Sequence, residues 1–146
     1  MKTNQLLNQL LADLNQMLTL TYQVHWYMRG ERFLFLHPML DSYIKEYHSD
    51  IDKVAELLIM QDGAPYATLQ ELAENTKLDI TKGDYKLSMN DQLDKLLSGL
   101  VFLDSELDDI IKVAEAENNL MVIDTLQDMK ESTIKHIWMI KSELGR

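Results

Sequence analysis

No cysteine occurs among the 146 residues, which excludes disulfides, thiolate metal sites and cysteine nucleophiles. Proline and glycine are scarce, at 2 and 5. So little turn chemistry does not suit a sandwich or barrel of many short strands; it suits a few long helices. Long apolar runs are missing too. The longest, Gly99 to Leu103, falls far short of the roughly 20 residues that a bilayer-spanning helix needs. The opening residues Met1-Lys2-Thr3-Asn4-Gln5 carry no secretory pattern, so a cytoplasmic location is expected. Basic charge is the last deficit: 14 Lys and Arg stand against 24 Asp and Glu, a formal charge of −10. Direct nucleic-acid binding draws its affinity from a basic patch, whereas this field attracts cations. A merely solvated acidic surface reads the same way.

What is present is globular. Hydrophobic residues make up 46% and charged ones 26%, and the length suits a single domain over residues 1–146. Leu6, Leu7, Leu10, Leu11, Leu14, Met17 and Leu18 recur at three- and four-residue spacing, which predicts a helix over 5–29. Thr3 or Asn4 would cap its start and Gly30 its end. A short apolar connection over 31–36 leads to a second helix from about His37 to Gln61, with Pro38 in its first turn. Asp62-Gly63-Ala64-Pro65 ends it. A long connection over 63–87 carries Thr68 and Glu71 at capping-box spacing, predicting a short helix over 68–76, and a turn at Lys82-Gly83-Asp84. A third long helix follows Ser88 to about Glu117, and a fourth follows Asn118-Asn119 to about Leu144. Ile123, Leu126, Ile134, Ile137 and Ile140 mark the apolar side of the fourth, and Trp138 is expected in the core. The fold class is therefore all-α, a four-helix bundle. Its one long crossover, between the second and third long helices, marks a ferritin-like bundle rather than a simple up-down one.

Ferritin-like iron sites inside the bundle use Glu-x-x-His, and none of the four histidines has a Glu three residues before it. Another constellation is present. His25 lies late in the first helix; His37 and Asp41 sit one turn apart at the start of the second, and Asp52 and Glu56 one turn apart further along it. Each such pair shares a helical face, and imidazole with carboxylate suits Fe(II) or Zn. Asp52 lies about 22 Å beyond His37 on a straight helix, while metal–ligand bonds are about 2 Å long. One subunit cannot close a site around both pairs. Fifteen helical steps return to within about 60° of the same face, so an antiparallel copy would lay each pair against the other. A two-fold dimer does this and makes two equivalent sites.

His25-Trp26-Tyr27-Met28-Arg29-Gly30, followed by His37, Asp41, Asp52 and Glu56, resembles the Dps family of miniferritins, ligand position for ligand position. Lys135-His136-Ile137-Trp138 is similar to that family's last helix. The resemblance departs at Leu57, where an Arg is usual, at Gln61-Asp62, where Ile-Gly is usual, and in lacking a Lys/Arg-rich tail. It implies a hollow dodecamer that oxidises Fe(II), usually with hydrogen peroxide, and stores ferric mineral. His25 and His37 would come from one subunit and Asp52 and Glu56 from its two-fold mate. Asp41 would join the histidine side, as a ligand or by holding one. Zinc would compete for such ligands. DNA would be protected by removal of iron and peroxide; direct DNA binding and compaction is the second reading, opposed by the charge.

Taken singly, each feature has a plainer explanation. His25 alone would read as a core histidine, His37–Asp41 as a helix-start charge pair, and Asp52–Glu56 as a solvated face. Trp26 is expected beside the metal site, with radical quenching as a weaker alternative. Asp124 and Asp128, early in the last helix, line a three-fold iron-admitting pore in the family reading; dipole compensation is the alternative. His48 is expected at a surface or interface, and His136 in a structural role.

Overall fold

The structure, a computed structural model, describes residues 2–146. It contains α1 (Lys2–Tyr27), α2 (Phe33–Met60), α3 (Leu69–Asn75), α4 (Met89–Ala116) and α5 (Leu120–Glu143). Three starts follow their capping chemistry. Thr68 accepts from the Glu71 amide and Glu71 answers the Thr68 amide; Ser88 accepts from Asp91 N at 3.1 Å; Asn119 accepts from Val122 N at 3.2 Å.

Other boundaries differ from the sequence expectation. Thr3 and Asn4 do not cap α1, which already begins at Lys2. Thr3 is buried and bonds the Glu117 carboxylate, and Asn4 donates to the Gln61 carbonyl at 3.2 Å. The helix ends at Tyr27, and Gly30 turns the chain at φ 111°. The apolar stretch Phe33-Leu34-Phe35-Leu36 is the first turn of α2 rather than a connection, entered through Arg32 at φ 73°. Pro38 consequently lies in the second turn, where it omits one helical N–H bond. The expected turn at 82–84 lies later: Asp84 accepts from Lys86 N at 2.8 Å and from Leu87 N at 3.4 Å.

α1 packs against α2 and α4, and α4 against α5. Leu10, Met17, Leu40, Leu58, Leu96 and Leu126, among others, are fully buried between them. Each such side chain contributes about 1.5–3 kcal/mol of transfer free energy. At Gly99 a Cβ would stand 2.7 Å from both Leu20 Cδ2 and Met17 Sδ, so any larger residue there would force these two side chains to shift. α2 and α5 touch at few points, leaving a cleft of about 510 Å³ along the bundle that includes Glu46, Asp50, Lys53 and Asp128. No described helix is long and apolar enough to cross a membrane.

The last helix corrects the sequence reading. Trp138 is 64% exposed and Ile134 48%, outside the core. They form a second apolar stripe, and periodicity does not say which of two stripes the same chain covers.

One buried carboxylate fixes the long crossover. Asp13 of α1 is fully buried and accepts from Thr76 Oγ1 and Lys77 N at 2.7 Å, Leu78 N at 3.3 Å and Gln9 Nε2 at 3.0 Å. Beside it, both carboxyl oxygens of Glu106 are buried without a hydrogen-bond partner. Burial first, and Asp13 second, push Glu106 from 4.5 up to about 9. Between those values the folded chain holds a proton that the unfolded chain has lost, so stability falls as pH rises. Glu106→Gln is expected to flatten that fall, read as urea midpoints at about pH 6 and about pH 9. A variant whose midpoint declines as the parent's does would clear Glu106 of this role.

Candidate metal centre

His25 reaches the end of α1 and His37 the start of α2, so the tight α1–α2 link brings both imidazoles together. Their rings stack with centroids 3.7 Å apart and 5° between planes. Phe33 covers the outer face of His37 at 4.7 Å. Each histidine is thereby held in one orientation, which a metal ligand needs.

The hydrogen bonds assign one tautomer. His37 Nδ1 lies 2.8 Å from the His25 carbonyl oxygen, which can only accept, so Nδ1 carries the proton. The lone pair of His37 is then on Nε2, free for an ion. His25 Nε2 lies 3.3 Å from Asp41 Oδ1, and its Nδ1 is buried without a partner. The His25 side chain is 9% exposed but that of Asp41 is 67% exposed, so the cluster is open on the Asp41 side.

Asp52 and Glu56 are exposed further along the unbroken α2. The structure does not bring them to His25, His37 and Asp41. Among the described residues of one chain, no three His, Asp or Glu groups converge to hold an ion. The chain thus presents two separated half-sets, two histidines with an aspartate and a pair of solvated carboxylates.

The remaining candidates are spread out. Trp26 is 63% exposed and stacks on Tyr22. Asp124 and Asp128 are both exposed on α5; Asp128 borders the α2–α5 cleft. His48, exposed on α2, meets the Tyr22 hydroxyl at 3.3 Å. His136 ties α5 to α2: its Nε2 lies 2.7 Å from Glu46 Oε2, and its ring stacks on Tyr43 at 3.8 Å.

Sequence reasoning missed Glu46 and its neighbours. Burial alone would raise Glu46, but bonds from His136 and Ser132 outweigh it and hold the carboxyl below its usual range. Asp50, one turn on, is pushed up to about 6 by burial and by Glu46. Tyr43 is raised to about 12 for the same two reasons. Only the spacing of Tyr43, Glu46, Tyr47 and Asp50 along one face hinted at this cluster. Phe33 was hidden as well, because its stretch read as a connection.

Comparison with known proteins agrees with this architecture. The ferritin-like domain family matches residues 4–146. The chain is 37% identical over 140 residues to the DNA protection during starvation protein of Streptococcus suis, covering 96% of this chain and 81% of that one. The X-ray structure of Dps from Listeria monocytogenes superposes with a TM-score of 0.96 at 34% identity, covering 99% of this chain and 94% of that one. Dps from Listeria innocua, in a crystal soaked with zinc, gives 0.93 at 34% identity, with 99% and 97% covered. These are ferritin-like helical bundles. The chain belongs to the Dps family.

Proposed function

We propose that this protein oxidises Fe(II), preferentially with hydrogen peroxide, and stores the ferric product inside a dodecameric cage of its own copies. Iron is here the substrate. The observation that carries the reading is the open half-site: two oriented imidazoles, one with a free Nε2, beside an exposed Asp41. Asp52 and Glu56 of a two-fold mate would complete it, because they lie too far along α2 from His37 and Asp41 to meet them within a chain. His25, His37, Asp41, Asp52 and Glu56 would then bind Fe(II), and an exposed Asp124 would belong to the path that admits it. Peroxide accepts two electrons, so two Fe(II) ions reduce one peroxide to water or hydroxide without releasing hydroxyl radical.

The donor set, imidazole and carboxylate, also takes zinc. The zinc soak of the Listeria innocua relative is in keeping with zinc as a competitor here.

The relatives' name includes DNA protection. With a charge of −10, protection by removing iron and peroxide is favoured over direct binding at physiological salt.

Mixing the apo protein with Fe(II) and peroxide is the test. Ferric absorbance should rise well above the buffer control, with two Fe(II) consumed per peroxide, and duplex DNA should run unretarded in a gel at neutral pH. Ferric formation no faster than in buffer would overturn the ferroxidase reading. A retarded band would favour direct compaction.

A further inference from the structure

Arg32, the residue before α2, holds a backbone conformation that few side chains accept, at φ 73° and ψ 4°. Among the described residues, Asp62 and Asn118 are the other non-glycines with positive φ. Both are of the short polar kind that tolerates the left-handed region, and both follow the end of a long helix, where that region is ordinary. Arginine is not of that kind, and Arg32 stands at a helix start. Strain of this sort persists where the surrounding structure enforces it, and it gathers at functional sites. Here the enforcement comes from two other helices. The Arg32 guanidinium donates to Asn90 Oδ1 at 2.6 Å, in the first turn of α4, and to Glu143 Oε1 at 3.0 Å, the last residue of α5. Its carbonyl accepts from Leu36 N at 2.8 Å, opening the hydrogen-bond ladder of α2. That first turn has little else to hold it. No side chain caps α2, and Pro38 has no N–H to offer the Leu34 carbonyl. Leu34 and Phe35 are 88% and 67% exposed, so packing within the chain does not fix them. Yet the same turn carries Phe33, whose ring stacks on His37 with 20° between planes.

We propose that Arg32 is a positioning residue for the metal half-site: by fastening the start of α2 to the ends of α4 and α5, it keeps Phe33 on the outer face of His37 and so keeps His37 Nε2 directed at the ion. The inference rests on the half-site of the ferroxidase reading. Without the fastening, Phe33 leaves with the fraying turn. The His37 ring then retains only its stack on His25 and the bond from Nδ1 to the His25 carbonyl. A ring held on one face has to be ordered again each time an ion arrives. That cost falls on binding rather than on electron transfer, as loss of preorganisation does in general. Arg32 touches neither ion nor peroxide, and acts only through Phe33 and His37.

The test reads binding apart from turnover. Co(II) takes imidazole and carboxylate donors as Fe(II) does, and serves as the probe of the apo protein, followed by its visible absorption. In Arg32→Gly the left-handed backbone is suited and only the fastening is lost. The Co(II) dissociation constant is expected to rise about 10-fold, and KM for Fe(II) with it, while kcat stays within about two-fold and the melting midpoint close to the parent's. Arg32→Lys keeps a cation for Glu143 but not the fork that also reaches Asn90, and should recover part of the affinity. Arg146→Ala removes another tie between α5 and α4, the pair with Asp94 at 2.8 Å, and should bind Co(II) as the parent does. Phe33→Leu should lose affinity as Arg32→Gly does, and the two together should cost no more than either alone. Parental Co(II) affinity in Arg32→Gly overturns the role, and so does an equal loss in Arg146→Ala. Additive losses in the double variant overturn the route through Phe33. If Arg32→Gly does not fold, Glu143→Gln carries the same comparison, with weakened Co(II) binding expected and parental binding overturning the role. Co(II) binding that His25→Ala/His37→Ala abolishes, in a parent that does not oxidise Fe(II), places the failure in the ferroxidase reading and leaves the positioning role to stand on affinity.

Discussion

Asp52→Ala/Glu56→Ala is expected to lower the rate of Fe(II) oxidation by about 100-fold or more, since loss of groups that merely orient a ligand already costs roughly 10–100-fold. Stability should change by less than about 1 kcal/mol, because both side chains are exposed and neither packs in the core. The separation of the two effects is the point. A variant that melts where the parent does but no longer forms ferric product has lost chemistry, not structure. His25→Ala/His37→Ala should be equally inactive, removing the other half of the set. Mixing the two inactive variants gives the sharper result. In a dimer of one of each, one site combines both damaged halves and the other combines both intact halves. Random pairing after dissociation and reassembly should then restore about a quarter of the parent rate. A site closed within one subunit would restore nothing, and that outcome would sink the shared-site geometry.

The second large effect is structural. Asp13→Ala should destabilise the protein by about 3–5 kcal/mol, because hydrogen bonds to a charged acceptor are worth about 1.5–3 kcal/mol each and their donors would be left buried. The Thr76 hydroxyl and the Lys77 and Leu78 amides all converge on Asp13 Oδ1. Asp13→Asn keeps an oxygen for those three donors and turns an amino group toward Gln9, so a loss nearer about 1–2 kcal/mol is expected. Chemical denaturation measures both, and hydrogen exchange at residues 76–78 shows whether the crossover is what loosens. Equal midpoints for Asp13→Ala and the parent would mean that these bonds are replaced by water at no net cost.

Parts of this molecule were legible because they depend on neighbours in sequence. The Thr68–Glu71 capping box, the Ser88 and Asn119 caps and the leucine spacing of α1 act within a turn or two, so reading residues in order recovers them. The distance between His37–Asp41 and Asp52–Glu56 was legible because helical spacing converts directly into length along a rod. Where that rule was insufficient, the deciding partner lay far away in the chain. Glu46 gains its place from Ser132 and His136, about 90 residues on. Trp138 carries the same 3.6-residue signal as a core position, yet the described residues leave it 64% exposed. Phe33 to Leu36 reads as a connection if Pro38 marks a first helical turn, whereas the helix tolerates it in the second.

The order of amino acids, by itself, determined the helical class, the long crossover, the exclusion of thiol chemistry and the separation of His37–Asp41 from Asp52–Glu56. All of these follow from composition and from the 1.5 Å rise of a helix. Tertiary structure alone decided that His25 and His37 stack, that His37 offers Nε2 rather than Nδ1, that Asp13 holds the crossover, and that Tyr22 meets His48. Each depends on where two distant backbone segments pack, and side-chain contacts of a few ångströms are set by that packing, not by spacing along one chain.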